Sequence, residues 1–283
     1  PDNELQLYQV YGISSWMIIW WMAEVVPIYI TAMLPMIIFP SLGLFSIKDT
    51  FVPYANPIIF LFMGGFIIAL AMEERKLHIR MALFIIKLTG TKPLGILIGM
   101  MLSTAFLSMW ISNTATTVMM LPIALSVLNL LKHQDRSNQK EFETFALALL
   151  LAIAYAANIG GTMTIIGTPP NVVFAGLFQE HHHIEIGFGQ WMLVGVPTGI
   201  LLLSITYLLL TKVLLKIQLT EIDGSAALFE RKRLELGKME KGERMVLIVF
   251  LLTAFLWIFK SQINVLLGSS ILHNTTIAMF GGL

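Results

Sequence analysis

The chain is 283 residues long, 57% hydrophobic and 12% charged, with a formal net charge of +1 and no cysteine. Its charged fraction is about half the roughly 25% usual in soluble domains, so most of its surface does not face water and it reads as an integral membrane protein. Scattered basic residues at near-neutral net charge offer no stripe for nucleic acid, and the lack of cysteine excludes disulfides and thiolate metal sites.

Several apolar windows approach or exceed the roughly 20 residues that a helix needs to cross hydrocarbon, and they lack the alternation of barrel strands, so the expected fold class is all-α. Basic residues fall mainly in three segments: five in 75–92, three in 132–143 and eight in 212–244. The positive-inside rule makes these loops cytoplasmic, in a multi-pass protein of a cell or inner membrane.

In chain order, 13–43 is expected to form two short helices meeting near Glu24 and Pro27 at the inner surface, and Pro57 to Met72 to cross the membrane. "RKLHIRMALFIIKLTGTK", 75–92, mixes basic and apolar residues as an amphipathic helix lying in the cytoplasmic interface does. Segment 93–131 carries no charge yet has basic residues on both flanks, so it must return to the side it left. Two full spans would need about 40 apolar residues plus a turn. A re-entrant hairpin of two half-length helices fits better, with the polar run 112–117 of "WISNTATTVMMLPI" at its tip; tight packing of two full helices through small and hydroxyl residues is the alternative.

Segment 144–179 is also uncharged, crosses once, and is too long for one straight span. Its "NIGGTMTIIGTPPN", 158–171, predicts a break, with Gly160, Gly161 and Gly167 loosening the helix and Pro169 and Pro170 obstructing it. Residues 191–211 cross again, 212–244 form a charged cytoplasmic loop, Met245 to Phe259 crosses back, and "NTTIAMFGGL" opens a further span. The chain starts at Pro1 and stops inside that apolar run, and so reads as a fragment.

Non-helical backbone at membrane depth persists where protein buries it or where it lines a wet cavity, and broken helices of this kind surround ions and anionic substrates in transporters. Neither uncharged segment holds Lys, Arg, Asp, Glu or His, so a charged ligand there must be held by dipoles, hydroxyls or co-bound ions. Oxygens of Ser112 and Asn113 with backbone carbonyls suit sodium, while donors of Asn113, Thr114 and Thr168 suit a carboxylate.

These motifs carry a resemblance. "SMWISNTATTVMMLPI", "ANIGGTMTIIGTPPN" and "IIWWMAEVVPIYITAMLPMIIFPSLG" resemble the Ser-Asn-Thr signature, the unwound fifth helix and the entry helices of the divalent anion/sodium symporter family, which includes sodium-coupled di- and tricarboxylate carriers. The resemblance implies an inverted-repeat, elevator-type fold and a homodimer in the lipid bilayer. It implies a sodium site at Ser108, Ser112, Asn113 and Gly167, the last preferred to Gly161, and substrate contacts from Asn113, Thr114, Thr168 and Pro169. By the same resemblance 1–74 supply scaffold helices and 93–179 part of the transport domain. Residues 191–211 then form a transmembrane helix, 212–244 a cytoplasmic loop and 245–283 the start of a second repeat. The family's second hairpin and second unwound helix do not occur in these residues, so the chain shows half a site.

The implied function is sodium-coupled symport of di- or tricarboxylates, with a dicarboxylate exchanger or proton-coupled carrier on the same scaffold as the alternative. A channel would need charged rings or carbonyl filters, and an intramembrane enzyme a buried Asp pair, an activated Ser or a His-Glu zinc motif; the sequence displays neither set.

Other conspicuous residues have plainer readings. His181, His182 and His183 are consecutive and do not converge on one ion. Glu24 is a carboxylate in an apolar stretch, which makes it a functional candidate, but at an inner turn a structural role accounts for it equally. The Asn274, Thr275, Thr276 sequon lies too near a span for glycosylation, and Trp20, Trp21 and Trp110 read as lipid or packing contacts.

Overall fold

A computed structural model describes residues 2–134, 139–219, 222 and 224–283. Among the described residues all regular structure is helical. The chain forms two compact units, 1–59 and 60–283. Residues 135–138 of the second basic loop and 220, 221 and 223 of the third lie outside the described residues.

In the first unit, α1 (Asp2–Ala23) runs for 22 residues and therefore begins well before the expected start at 13. The chain reverses at 24–27, where Glu24 takes a positive φ of 48° on an exposed turn. Pro27 then caps α2 (Ile28–Ser41), and Trp21 Nε1 donates to Ile28 O across the corner. A proline is suited to this entry because the first helical N–H groups have no intrahelical acceptor. The short α3 (Ile47–Phe51) starts at Ser46, whose hydroxyl accepts from Asp49 N, and a 3-10 turn (Val52–Ala55) leads into α4 (Pro57–Glu74).

In the second unit, α5 (Leu77–Thr89) buries Leu77, Ala82, Leu83 and Ile86, while Phe84 and Leu88 stay exposed. Next come α6 (Pro93–Ser108), α7 (Asn113–Gln134), α8 (Gln139–Thr162), α9 (Pro169–His182) and α10 (Phe188–Leu208), which widens into a π-turn over Leu209–Leu214. The charged loop contains a helix, α11 (Ser225–Leu236), and α12 (Lys241–Leu267) and α13 (Asn274–Gly282) complete the unit.

The core forms around α8, whose buried face repeats at Phe145, Ala148, Leu149, Ala152, Ile153, Ala156, Ala157, Gly160 and Gly161. Three- and four-residue steps keep those side chains on one stripe. Its small residues let backbones approach closely, the means by which helices associate where no water drives them together. A Cβ on Gly160 would sit 2.2 Å from Ala105 O of α6, and one on Gly64 of α4 would sit 2.3 Å from Ala278 O of α13. On α6 itself both polar and apolar positions are buried, Ser103, Thr104 and Ser108 among them. Ser103 and Thr104 turn their hydroxyls back to Gly99 O and Met100 O, which makes them compatible with a dry surround.

Among the described residues, five helical segments are long and apolar enough to cross a membrane: Ile47–Glu74, Asn113–Leu131, Gln139–Thr162, Phe188–Leu214 and Lys241–Leu267. The first two breaks of interest fall at 109–112 and 163–168, close to the predicted positions. Two details differ from expectation. The polar run 112–117 lies mostly inside the first turns of α7 rather than in a loop, because Ser112 caps that helix. Gly160 and Gly161 remain helical at the end of α8; they serve close packing, and the helix opens just beyond them.

Candidate functional site

The two breaks are joined by Thr164, whose hydroxyl donates to Met109 O, and Asn113 sits at the edge of the first, facing the end of α8. The chain leaves α6 at Ser108, turns through Met109 to Ser112, and re-enters helix at Asn113. Ser112 starts α7: its hydroxyl accepts from Ala115 N at 3.3 Å and its carbonyl from Thr116 N at 2.9 Å. Ser at this position satisfies one of the N–H groups that a helix start leaves open. Trp110, in the same turn, is buried among aromatic rings, at 6.0 Å from Phe188, 5.0 Å from Phe250 and 6.5 Å from Trp257 by ring centroid. It is a packing residue that seats the turn on α10 and α12.

Asn113 is held on three sides. Ser108 Oγ donates to its Oδ1 at 2.8 Å, and the same hydroxyl lies 2.7 Å from Ala157 O. The Asn113 amide nitrogen donates to Asn158 Oδ1 at 3.2 Å. The third side is backbone: a Cβ on Gly161 would come within 2.2 Å of Asn113 Oδ1, so only glycine admits that oxygen. Gly167 stacks behind, where its own Cβ would meet Gly161 O at 2.4 Å.

The second break is propped by residues that sequence reasoning passed over. Thr164, fully buried, donates its hydroxyl to Met109 O of the first break and accepts from Gly167 N at 3.1 Å. Asn171 donates to Gly161 O at 2.9 Å and to Thr164 O at 2.8 Å. An open backbone segment must have each of its polar groups accounted for when buried; these two side chains bond Gly167 N and Thr164 O within the break, and Met109 O and Gly161 O beside it. Pro169 and Pro170 occupy the first two positions of α9, so they begin that helix rather than interrupt one.

Of the residues predicted for the site, Ser108 and Asn113 are directly bonded. Gly161 lies against Asn113 and Gly167 against Gly161. Ser112 acts locally as the cap of α7. Thr114 is exposed beside the first turn, and Thr168, half-buried, caps α9 without spending its hydroxyl on that helix. Asn158, Gly161, Thr164 and Asn171 join them. Their signal in the sequence was the polar run flanking the glycines, "NIGGTMTIIGTPPN", but which members face Asn113 depends on helix rotation.

The remaining conspicuous groups lie elsewhere. Glu24 belongs to the other compact unit. His181 and His182 end α9 and His183 adopts a positive φ of 55° as its cap; among the described residues no group of three metal-binding side chains occurs. Asn274 is buried and donates its amide to Glu185, which also pairs with Lys260 Nζ at 2.6 Å, so this sequon is closed to a glycan. Near the basic end of the helices Arg80 pairs with Glu243 and donates to Gly237 O at 3.1 Å, joining α5 to α12. The bonded carboxylate raises the Arg80 pKa, while burial lowers that of the nearby His78, which donates Nδ1–H to Met72 O.

Among the described residues, five long apolar helices, with uncharged polar residues gathered beside two breaks, define a multi-pass membrane protein. The family model described as a citrate transporter, CitMHS, matches residues 18–282, and the chain belongs to that family. It is 44% identical over 252 residues to the sodium-dependent dicarboxylate transporter SdcS of Staphylococcus saprophyticus, covering 88% of this chain and 48% of that protein. It is 42% identical over 251 residues to the protein of the same name from Staphylococcus aureus strain USA300, again covering 88% of this chain and 48% of the relative. The chain thus spans about half the length of the curated relatives it matches.

Proposed function

We propose that this chain forms one half of a sodium-coupled secondary carrier for di- or tricarboxylates. The observation that carries the reading is the set of neutral oxygens around Ser108 and Asn113: Ser108 Oγ, Asn113 Oδ1, Ala157 O and Asn158 Oδ1, with no ionisable side chain in either segment that forms the breaks. Ser108 has a single hydroxyl proton. Given to Ala157 O, it leaves the Ser108 lone pairs and Asn113 Oδ1 turned toward a common point, an acceptor-only arrangement that suits a hard monovalent cation.

Sodium is then co-substrate. A dicarboxylate brings about two negative charges, and an uncompensated charge in low dielectric costs several kcal/mol even after relaxation. A cation bound beside Asn113 offsets part of that, while Thr114, the amide of Asn113 and Thr168 supply donors, with Pro169 beside them. Ser112 and Gly167 contribute through the backbone that they shape. The SdcS relatives are named as sodium-dependent dicarboxylate transporters, which supports this cation and this substrate class over the exchanger and proton-coupled alternatives.

The same reading makes α6 and α7 a re-entrant hairpin, although α7 alone has an apolar stretch, Asn113–Leu131, long enough to span. The turn of 93–131 toward the break of 144–179, and basic segments 75–92, 132–143 and 212–244 on one side, support it. Residues 93–179 would travel elevator-like against scaffold helices of 1–74, in a homodimer, with 245–283 opening the second repeat. The full-length protein in liposomes is expected to take up radiolabelled succinate only under an inward sodium gradient. Uptake unchanged when potassium or choline replaces sodium would reject the symport and favour exchange.

A further inference from the structure

An asparagine amide presents an acceptor on one side and donors on the other, and its usefulness between a cation and an anion depends on which side faces which. We propose that Asn158 is the positioning residue that sets this orientation for Asn113; the inference rests on the sodium-coupled reading above.

The hydrogen bonds give the chain of cause. Asn158 lies on the exposed side of α8, one turn before the break, where no packing demand calls for an amide. Its nitrogen donates to Ala154 O, the carbonyl four residues back, at 3.0 Å. That bond fixes the Asn158 amide, because a flipped group would set its oxygen against a carbonyl oxygen. Asn158 Oδ1 is therefore the atom offered to Asn113, and it accepts from the Asn113 nitrogen at 3.2 Å. Asn113 Oδ1 is left facing Ser108 Oγ at 2.8 Å and the bare Cα of Gly161.

The result is a division of labour across one side chain. The Asn113 oxygen faces the acceptor set, and its remaining N–H faces away from it, where an anion's oxygen can accept. Asn158 does this without charge. An aspartate could accept the same hydrogen bond, yet it would add a negative charge beside an anionic substrate and near the cation. Neutrality at 158 is thus part of the selection for carboxylates, and the acceptor at 158 part of the selection for sodium.

Two variants of the full-length protein separate these roles. Asn158→Leu keeps the shape and removes the acceptor, freeing Asn113 to flip; half-saturating sodium for [14C]succinate uptake should rise about fivefold or more, the equivalent of one hydrogen bond. At saturating sodium the succinate KM of this variant should change less. Asn158→Asp keeps an acceptor for the Asn113 amide, gives up the bond to Ala154 O and adds charge; half-saturating sodium should stay level or fall while the succinate KM rises several-fold. If Asn158→Leu does not fold, the opposite movement of the two constants in Asn158→Asp still carries the test. Equal shifts of both constants in both variants, or an unchanged sodium requirement in Asn158→Leu, would overturn the role of Asn158. Sodium-independent uptake by the unmutated protein would instead reject the underlying reading.

Discussion

The two breaks look alike in the sequence, each a polar run inside an uncharged apolar segment, but the chain holds them open in different ways. At 109–112 the work is done by the side chains of the segment: Ser112 caps α7, and Asn113 projects its amide from the first helical position. The leading N–H groups of α7 have no intrahelical acceptor, so this end of the site is rich in donors. At 163–168 the backbone is propped from within by Thr164 and Asn171, and α9 opens on two prolines that carry no N–H at all. That end is poor in donors and rich in carbonyl oxygens. Under the proposed carrier reading, the difference means that an anion would be gripped chiefly from the α7 side, with Thr168 as the hydroxyl that the α9 side adds, while the propped backbone of 163–168 holds Gly161 against Asn113.

The neighbouring glycines break the comparison most sharply, because one supports packing and the other the site. Gly160→Ala sets a Cβ against the Ala105 backbone, which cannot yield cheaply. Overpacking of this kind typically costs about 1–3 kcal/mol, and the variant should show a clear drop in Tm and in the yield of monodisperse protein. Gly161→Ala drives the new methyl into the Asn113 amide instead. It should purify close to normally and lose transport by on the order of 100-fold, as misplacing a ligand-holding group by an ångström does. Near-normal uptake by Gly161→Ala would remove Asn113 Oδ1 from the site.

Thr164→Val tests the other break with a smaller effect. It deletes the donor to Met109 O and the acceptor for Gly167 N at nearly constant volume. Leaving such buried groups unpaired costs about 1–3 kcal/mol, read as a lower Tm together with weaker sodium dependence. Thr164→Ser, which keeps the hydroxyl, should restore both. A loss that Ser does not rescue would mean that the methyl group, not the hydroxyl, is what the break requires.

Much of this architecture was legible in advance. Charge-free stretches between basic loops gave the order of the helices, and the Gly-Gly and Thr-Pro-Pro runs marked where α8 ends and α9 begins. Other features escaped for identifiable reasons. The start of α1 at Asp2 was missed because its early residues are polar enough to read as a loop. The contact of Gly161 with Asn113 across two helices is not visible in a sequence, whereas the adjacency of Gly167 to the Thr-Pro-Pro-Asn run is. Asn158 and Thr164 were silent for the same reason: their partners lie 45 and 55 positions away along the chain. The Arg80–Glu243 and Lys260–Glu185 pairs are more distant still, and counting charges by segment cannot pair them.

The central claim is that neutral oxygens of Ser108 and Asn113 hold the coupling ion. It is tested most directly by the sodium dependence of [14C]succinate uptake in full-length Ser108→Ala and Asn113→Ala, measured against the unmutated protein in liposomes of equal protein content. Removing one ligand oxygen should raise half-saturating sodium by about tenfold or more in either variant, the scale of one hydrogen bond to a charged group, in protein that still runs as a monodisperse peak. Half-saturating sodium that stays at the unmutated value in both variants would contradict the account and place the ion elsewhere.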